Sequence, residues 1–300
     1  MARSMAPVER MLTSLEGLAL GDAFGQGFFV HPDLVEQLIV ERALPRSPWR
    51  YTDDTEMALS IVAVLREHGR VEQDVLAQAF AARYDYHRGY GPAMHGLLAR
   101  IRDGAPWQGA AQALFEGQGS HGNGAAMRVA PLGAYFADDL DLAAQEARRS
   151  AEVTHAHPEG IAGAVAVAGA AALASRHGVS GRLPSPRAFL DQILPFVPDS
   201  VVRERIRHAR NLAEGASVRL AVAALGNGSA ITAQDTVPFA LWCAAQRLDH
   251  YEGALWLTVS GLGDRDTTCA IVGGIVALSA DSATIPAAWR ACREALPPWE

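Results

Sequence analysis

Apolar positions recur at helical spacing along nearly the whole chain. Leu12, Leu15, Leu18 and Ala19 share one face and predict a helix ending near Gly21 or Gly25. Met57, Ile61, Val64 and Leu65 predict another, stopped at Gly69. Val75, Phe80 and Tyr84 continue the pattern, and Leu142 to Ala151 predicts a further helix. Ile161 to Ala174 is apolar almost all round, as in a helix buried on every side. Helical signal resumes from Val201 to Leu225 and from Tyr251 to Ser260. Between them, Thr236 reads as a cap with Pro238 in the first turn of a helix over Phe239 to Leu248. Asp266 is a candidate cap for a last helix from Thr267 to Leu278.

The intervening stretches read as loops. They are the proline-containing segment His31 to Trp49, the glycine-dense Gly117 to Gly124, and Gly178 to Pro198. The last looks like a linker, but the same helical style continues beyond it, so residues 1–300 are read as one domain. No segment alternates with period two. The pairs Asn123-Gly124 and Asn227-Gly228 lack strand-like flanks. The expected fold is all-α, a compact single-domain many-helix bundle.

Composition sharpens this picture. Hydrophobic residues make up 49% of the chain and aromatics only 7%, which favours closely packed, alanine-rich helices around a sizeable core. The net charge of −7 comes with no basic tract, so a direct nucleic-acid-binding surface lacks electrostatic support. Gly160 to Ser175 is short for a bilayer span, so a buried helix is expected and no membrane partner. Met1 to Arg10 has no apolar signal core. The cysteines Cys243, Cys269 and Cys292 show no ligand spacing and read as free thiols of a reducing, cytoplasmic compartment.

Two acidic clusters stand out, Thr52-Asp53-Asp54-Thr55-Glu56 and Gly263-Asp264-Arg265-Asp266-Thr267-Thr268. Each immediately precedes a strongly apolar helix. Capping would use one Asp per helix, whereas two Asp with flanking Thr hydroxyls exceed that need. From spacing alone, capping and metal binding are evenly matched. If the two helix starts meet, four carboxylates crowd together and call for a cation or protons. Carboxylate and hydroxyl oxygens select hard ions, Mg²⁺, Mn²⁺ or Ca²⁺, over zinc. Gly122-Asn123-Gly124 either makes a turn or admits a phosphate to backbone N–H groups, with Arg128 as a candidate bidentate partner. His155 and His157 lack companion ligands at zinc spacing, so a hydrogen-bonding role for one histidine is expected.

Taken in order, Gly21-Asp22-Ala23, Thr52-Asp53-Asp54-Thr55, Gly122-Asn123-Gly124, Thr154-His155 and Gly263-Asp264-Arg265-Asp266-Thr267-Thr268 resemble the ADP-ribosylglycohydrolase family over nearly the whole chain. The resemblance implies an all-helical hydrolase with two Mg²⁺ or Mn²⁺ ions. It places the metal ligands at Thr52, Asp53, Asp54, Asp264, Asp266 and Thr267. It also implies that Gly122, Asn123 and Gly124 line an ADP-ribose cleft, that His155 contacts the ligand and that Asp22 is structural. Phe29 stands where the family pattern leads one to expect a glutamate, and is read as part of the acceptor pocket. Arg88-Gly89-Tyr90-Gly91 lacks an aspartate that some members use in the matching loop. Arg265, between two implied ligands, is a candidate partner for a carboxylate or a phosphate.

The implied reaction is hydrolysis at the anomeric carbon of the distal ribose, releasing ADP-ribose from an acceptor. Asp54 and Asp266 are both candidates to take the proton of the attacking water. Two other classes stay open: a non-catalytic ADP-ribose reader, and an all-α Mg²⁺-dependent isoprenoid enzyme suggested by Asp53-Asp54-Thr55-Glu56, in which Met57 breaks the acidic pattern.

Overall fold

A computed structural model describes residues 5–212 and 215–298. Among these residues there are helices and no strands, and the only ladder pairings are isolated bridges at Trp49–Arg293 and Gly122–Thr232.

The first helix, Pro7–Gln26, runs through both glycines expected to end it. Gly17, Gly21 and Gly25 recur every four residues and so share one face. That face lies on the helix Arg265–Val276. A Cβ on Gly21 would sit 2.1 Å from the Cys269 carbonyl oxygen, and one on Gly25 would sit 2.2 Å from that of Arg265. The glycines are therefore packing surface rather than stop signals. They bring the two backbones into contact. Tyr251 locks the far end by donating to the Gly17 carbonyl at 2.6 Å.

The helix Asp53–His68 ends at Gly69, as its sequence predicts, with φ +69° at the cap. Its N-terminus is capped from another helix. Asp22, fully buried on the first helix, accepts the backbone N–H groups of Thr52 and Thr55 at 2.9 and 3.1 Å. This is the structural role expected of Asp22. The central helix Pro158–Ser180 is longer than its apolar run and long enough to cross a membrane, with mean hydropathy 1.3 over its most apolar window. Within the fold 89% of that window is buried, as a core helix requires.

Other elements depart from expectation. Two proline-containing stretches read as loops contain helices, Pro32–Glu41 and Pro186–Ile193. In both, proline occupies the first turn, where its missing N–H costs nothing. The helix carrying Pro238 begins earlier, at Ala233, with Thr232 as the cap and the proline inside. Proline cannot bond the carbonyl four residues back. That carbonyl, of Gln234, accepts instead from Arg205 Nη1 at 2.8 Å. The last major helix starts at Arg265, so Asp264 and not Asp266 holds the cap position.

The glycine contact generates a stability prediction. Gly21→Ala forces the first and last major helices apart and lowers unfolding free energy by about 3 kcal/mol. Gly169→Ala, in the central helix with nothing within 4 Å of the new methyl, leaves stability unchanged or raises it by up to about 1 kcal/mol. Urea unfolding followed by helical circular dichroism measures both. Equal stability of the two variants contradicts the close-contact account.

Candidate active site

The three helices just described converge their acidic ends. Asp22 comes from the first, Asp53 and Asp54 from the start of the second, and Asp264 and Asp266 from the start of the last. Asp22 also accepts the Thr55 hydroxyl at 2.5 Å. The Thr52 hydroxyl lies 2.8 Å from an oxygen of Asp22 and 2.8 Å from one of Asp54. It has one hydrogen to give, so it satisfies one carboxylate only. The other Asp54 oxygen, Oδ1, is buried with no partner.

The electrostatics follow from this crowding. Burial raises the Asp22 pKa to about 6, against the pull of the Thr52 and Thr55 hydrogen bonds. Burial first, and then the neighbouring carboxylates, push Asp53, Asp54 and Asp266 well above the ordinary aspartate range. Among the described residues, no three His, Cys, Asp or Glu side chains form a ready-made cage. The two carboxylates of the last major helix turn to nearby donors. Asp264 Oδ2 accepts from Asn123 Nδ2 at 2.6 Å, and Asp266 Oδ1 from the Thr267 N–H at 2.9 Å. The absent cage and the mutual repulsion thus describe one arrangement, in which like charges close together are held on protein donors. An unpartnered buried oxygen in an all-oxygen donor set fits a hard cation.

The cluster lies between two cavities. The first, of about 540 Å³, is lined by Asp53, Gly122, Asn123, Gly124, His155, Asp264, Asp266 and Thr267, among others. The second, of about 640 Å³, includes Phe29, Arg50, Tyr51, Thr52 and Arg88. Asp264, Asp266 and Gly89 border both. Gly89 has φ +90°, and a Cβ there would lie 3.8 Å from Asp53 Oδ1, so the loop passes close to the cluster. Asp54 borders neither cavity.

The sequence-selected residues thus come together, with some changes of role. Asn123 spends its amide on Asp264 and on the Thr236 hydroxyl. His155 is buried against the glycine loop, where a Cβ on Gly124 would approach its ring to 2.8 Å. His157 accepts the Glu159 N–H, so the two histidines form no zinc pair. Arg128 is fully buried and donates to the Ser150 carbonyl and the Thr154 hydroxyl rather than facing the cavity. Arg265 donates to the Gly263 and Phe28 carbonyls, with its guanidinium 4.3 Å from the centre of the Phe29 ring. It makes no carboxylate pair among the described residues.

Several cavity residues escape sequence reasoning, and three of them stand out. Phe115, Ile231 and His121 line the first cavity. Phe115 and Ile231 have φ of +51° and +54°. For a β-branched or bulky residue that conformation is strained, and such strain concentrates at functional sites. The Phe115 and His121 rings lie 5.8 Å apart at 35°, with Phe115 half exposed. The segment 231–233 holds the glycine loop by the Asn123 N–H to Ile231 carbonyl bond and the Ala233 N–H to His121 carbonyl bond. These are long-range pairings with no local sequence signature.

Known proteins share this arrangement of chain. The profile of the ADP-ribosylglycohydrolase family matches residues 3–297. Human ADP-ribosylhydrolase ARH3 is 30% identical over 96% of this chain and 89% of its own. An uncharacterized protein of Archaeoglobus fulgidus is 31% identical over 94% of this chain and 90% of its own. Xenopus tropicalis ADP-ribosylhydrolase ARH3 is 34% identical over 65% of this chain and 57% of its own. A solved structure, an ADP-ribosylglycohydrolase-related protein complex, superposes with a TM-score of 0.65 over 96% of this chain and 93% of that one. At 24% identity, this shows the fold alone. The match runs over nearly the whole chain and is to a glycohydrolase family, not to an isoprenoid enzyme. The chain belongs to the ADP-ribosylglycohydrolase family of glycosidic-bond hydrolases.

Proposed function

We propose that this protein hydrolyses the glycosidic bond between ADP-ribose and an acceptor, with divalent cations held by Thr52, Asp53, Asp54, Asp264, Asp266 and Thr267. The observation that carries this reading is the carboxylate cluster at the junction of two cavities. One cavity takes the nucleotide sugar and the other the acceptor, so the scissile bond falls at the cluster.

The first cavity suits ADP-ribose. Its glycine loop admits a diphosphate close to backbone, and Phe115 with His121 offers aromatic surface for a base to stack on. When bound, Mg²⁺ or Mn²⁺ supplies Lewis acidity that orients the ribose hydroxyls and makes water a better nucleophile. Of the two candidates for the water's proton, Asp266 borders both cavities, and the buried Asp54 borders neither. Asp266 is therefore assigned as the proton acceptor. Asp54 anchors the cluster. In the second cavity Phe29 forms an apolar, half-exposed wall fixed by its contact with Arg265. It has no proton to give, so it shapes the acceptor pocket.

Turnover separates an enzyme from a reader. With Mg²⁺ or Mn²⁺, wild-type protein should release ADP-ribose from at least one of serine-, arginine- or phosphate-linked substrates. Asp264→Ala should lower kcat/KM more than about a hundredfold. The Asp264 side chain makes no capping hydrogen bond to its own helix, and the capping bonds to its backbone carbonyl survive the substitution, so the variant should stay folded by circular dichroism. ADP-ribose binding without release from any of the three substrates would leave a reader.

The glycine loop gives a second expected outcome. A methyl at Gly124 meets the His155 ring at 2.8 Å and displaces it. Gly124→Ala should weaken ADP-ribose binding by about tenfold, or ~1.4 kcal/mol by calorimetry. An unchanged Kd would return that loop to the status of a turn.

A further inference from the structure

Arg128 is a buried cation that the reaction scheme leaves unused. It is fully buried, and its Nε has no hydrogen-bond partner among the described residues. Its Nη2 donates to the Ser150 carbonyl and to Thr154 Oγ1, both at 2.9 Å. Its Nη1 lies 3.4 Å from the Met57 sulfur, and its guanidinium stacks 4.3 Å from the Phe80 ring centre. Thr154 Oγ1 in turn lies 2.7 Å from His155 Nδ1. His155 borders the cavity beside Gly122 and Gly124.

We propose that Arg128 and Thr154 are positioning residues that fix His155 as the tautomer protonated on Nε2, so that its one N–H is offered to an oxygen acceptor of the ligand. A guanidinium has only donors, so Thr154 Oγ1 must accept from it. The hydroxyl hydrogen is then left for the oxygen's other neighbour, His155 Nδ1. A hydrogen on Nδ1 would strand the threonine hydrogen without an acceptor in a fully buried site, which is costly. The chain of bonds therefore runs one way, from Arg128 through Thr154 to Nδ1, and leaves the hydrogen on Nε2. That nitrogen faces the glycine loop, since a Cβ on Gly124 would lie 2.9 Å from it and one on Gly122 3.3 Å. Burial, then the charge of Arg128, lowers the His155 pKa to about 3, so the ring stays neutral and has a single N–H. Burial lowers the Arg128 pKa to about 9, which keeps it a cation near neutrality.

The contact with ligand rests on the reading of the cavity as an ADP-ribose site, but the tautomer does not. Nitrogen-15 spectra of ligand-free protein distinguish the two nitrogens of each imidazole, and His155→Gln assigns the signal. Wild type should carry the hydrogen on Nε2. Thr154→Val, nearly isosteric, should shift His155 towards the Nδ1–H form and raise the Kd for ADP-ribose about tenfold. Thr154→Ser should restore both. A structural role for Thr154 alone would move thermal stability without moving the imidazole signals. An Nδ1–H ring in wild type, or a Thr154→Val protein with wild-type spectrum and affinity, overturns the proposal. The Nε2–H signature in a wild type that binds no ADP-ribose supports the relay and overturns the functional reading instead.

Discussion

The structure depends on one backbone contact. The first helix and the helix Arg265–Val276 touch along Gly17, Gly21 and Gly25, with no room for a methyl at any of the three. Gly25 meets the Arg265 carbonyl, so the contact extends to the end of the helix that carries Asp264 and Asp266. Asp22 sits on the same first helix and holds the start of the helix that carries Asp53 and Asp54. A spacing set by glycine thus fixes where two acidic helix starts lie relative to one another. Larger residues in that seam would move the carboxylates with the backbones.

Crowding carboxylates in this way opposes folding unless something offsets it. Hydroxyl and amide donors from Thr52, Thr55 and Asn123 provide part of the offset, but Asp54 Oδ1 has none. Such a cluster makes physical sense as a place where a cation or a shared proton belongs. Three non-glycine residues with positive φ lie along the loops around it. Leu262, at φ +58°, lies two positions before Asp264, and the strained Phe115 and Ile231 line the first cavity. The backbone is held in uncommon conformations where loops must approach the cluster.

Much of this was legible in the sequence because helices and their acidic starts are local features. Period and composition predict the all-α class, and the doubled aspartates stand out as more than caps. What the sequence hides is long-range. Glycine at four-residue spacing reads as a helix stop unless the partner helix is known. Proline reads as a breaker at Pro32 and Pro186, although both sit in first turns. Pro238 is tolerated inside a helix because Arg205, a residue far along the chain, satisfies the freed carbonyl. Arg128 looks like a phosphate ligand by its place after the glycine loop, yet the fold turns it inward onto Thr154. The aromatic pair Phe115 and His121 has no periodic signature at all.

The central claim is that these carboxylates form one coupled cluster that a divalent cation relieves. Thermal unfolding against pH, in chelator and in Mn²⁺, tests it most directly. Folded-state pKa values above the unfolded ones stabilise the protein at low pH, and that contribution is lost as pH rises through the folded values. Asp22 at about 6, with Asp53, Asp54 and Asp266 also raised, sets the window from about pH 4 upward through 6. In chelator, the cluster's contribution should therefore fall from pH 5 to pH 8. Mn²⁺ should raise the Tm most at the upper end, where the carboxylates are ionised and free to bind it. Asp264→Ala should weaken both effects. A Tm that Mn²⁺ leaves unchanged at pH 8, with wild type and Asp264→Ala following the same pH curve, would contradict the account.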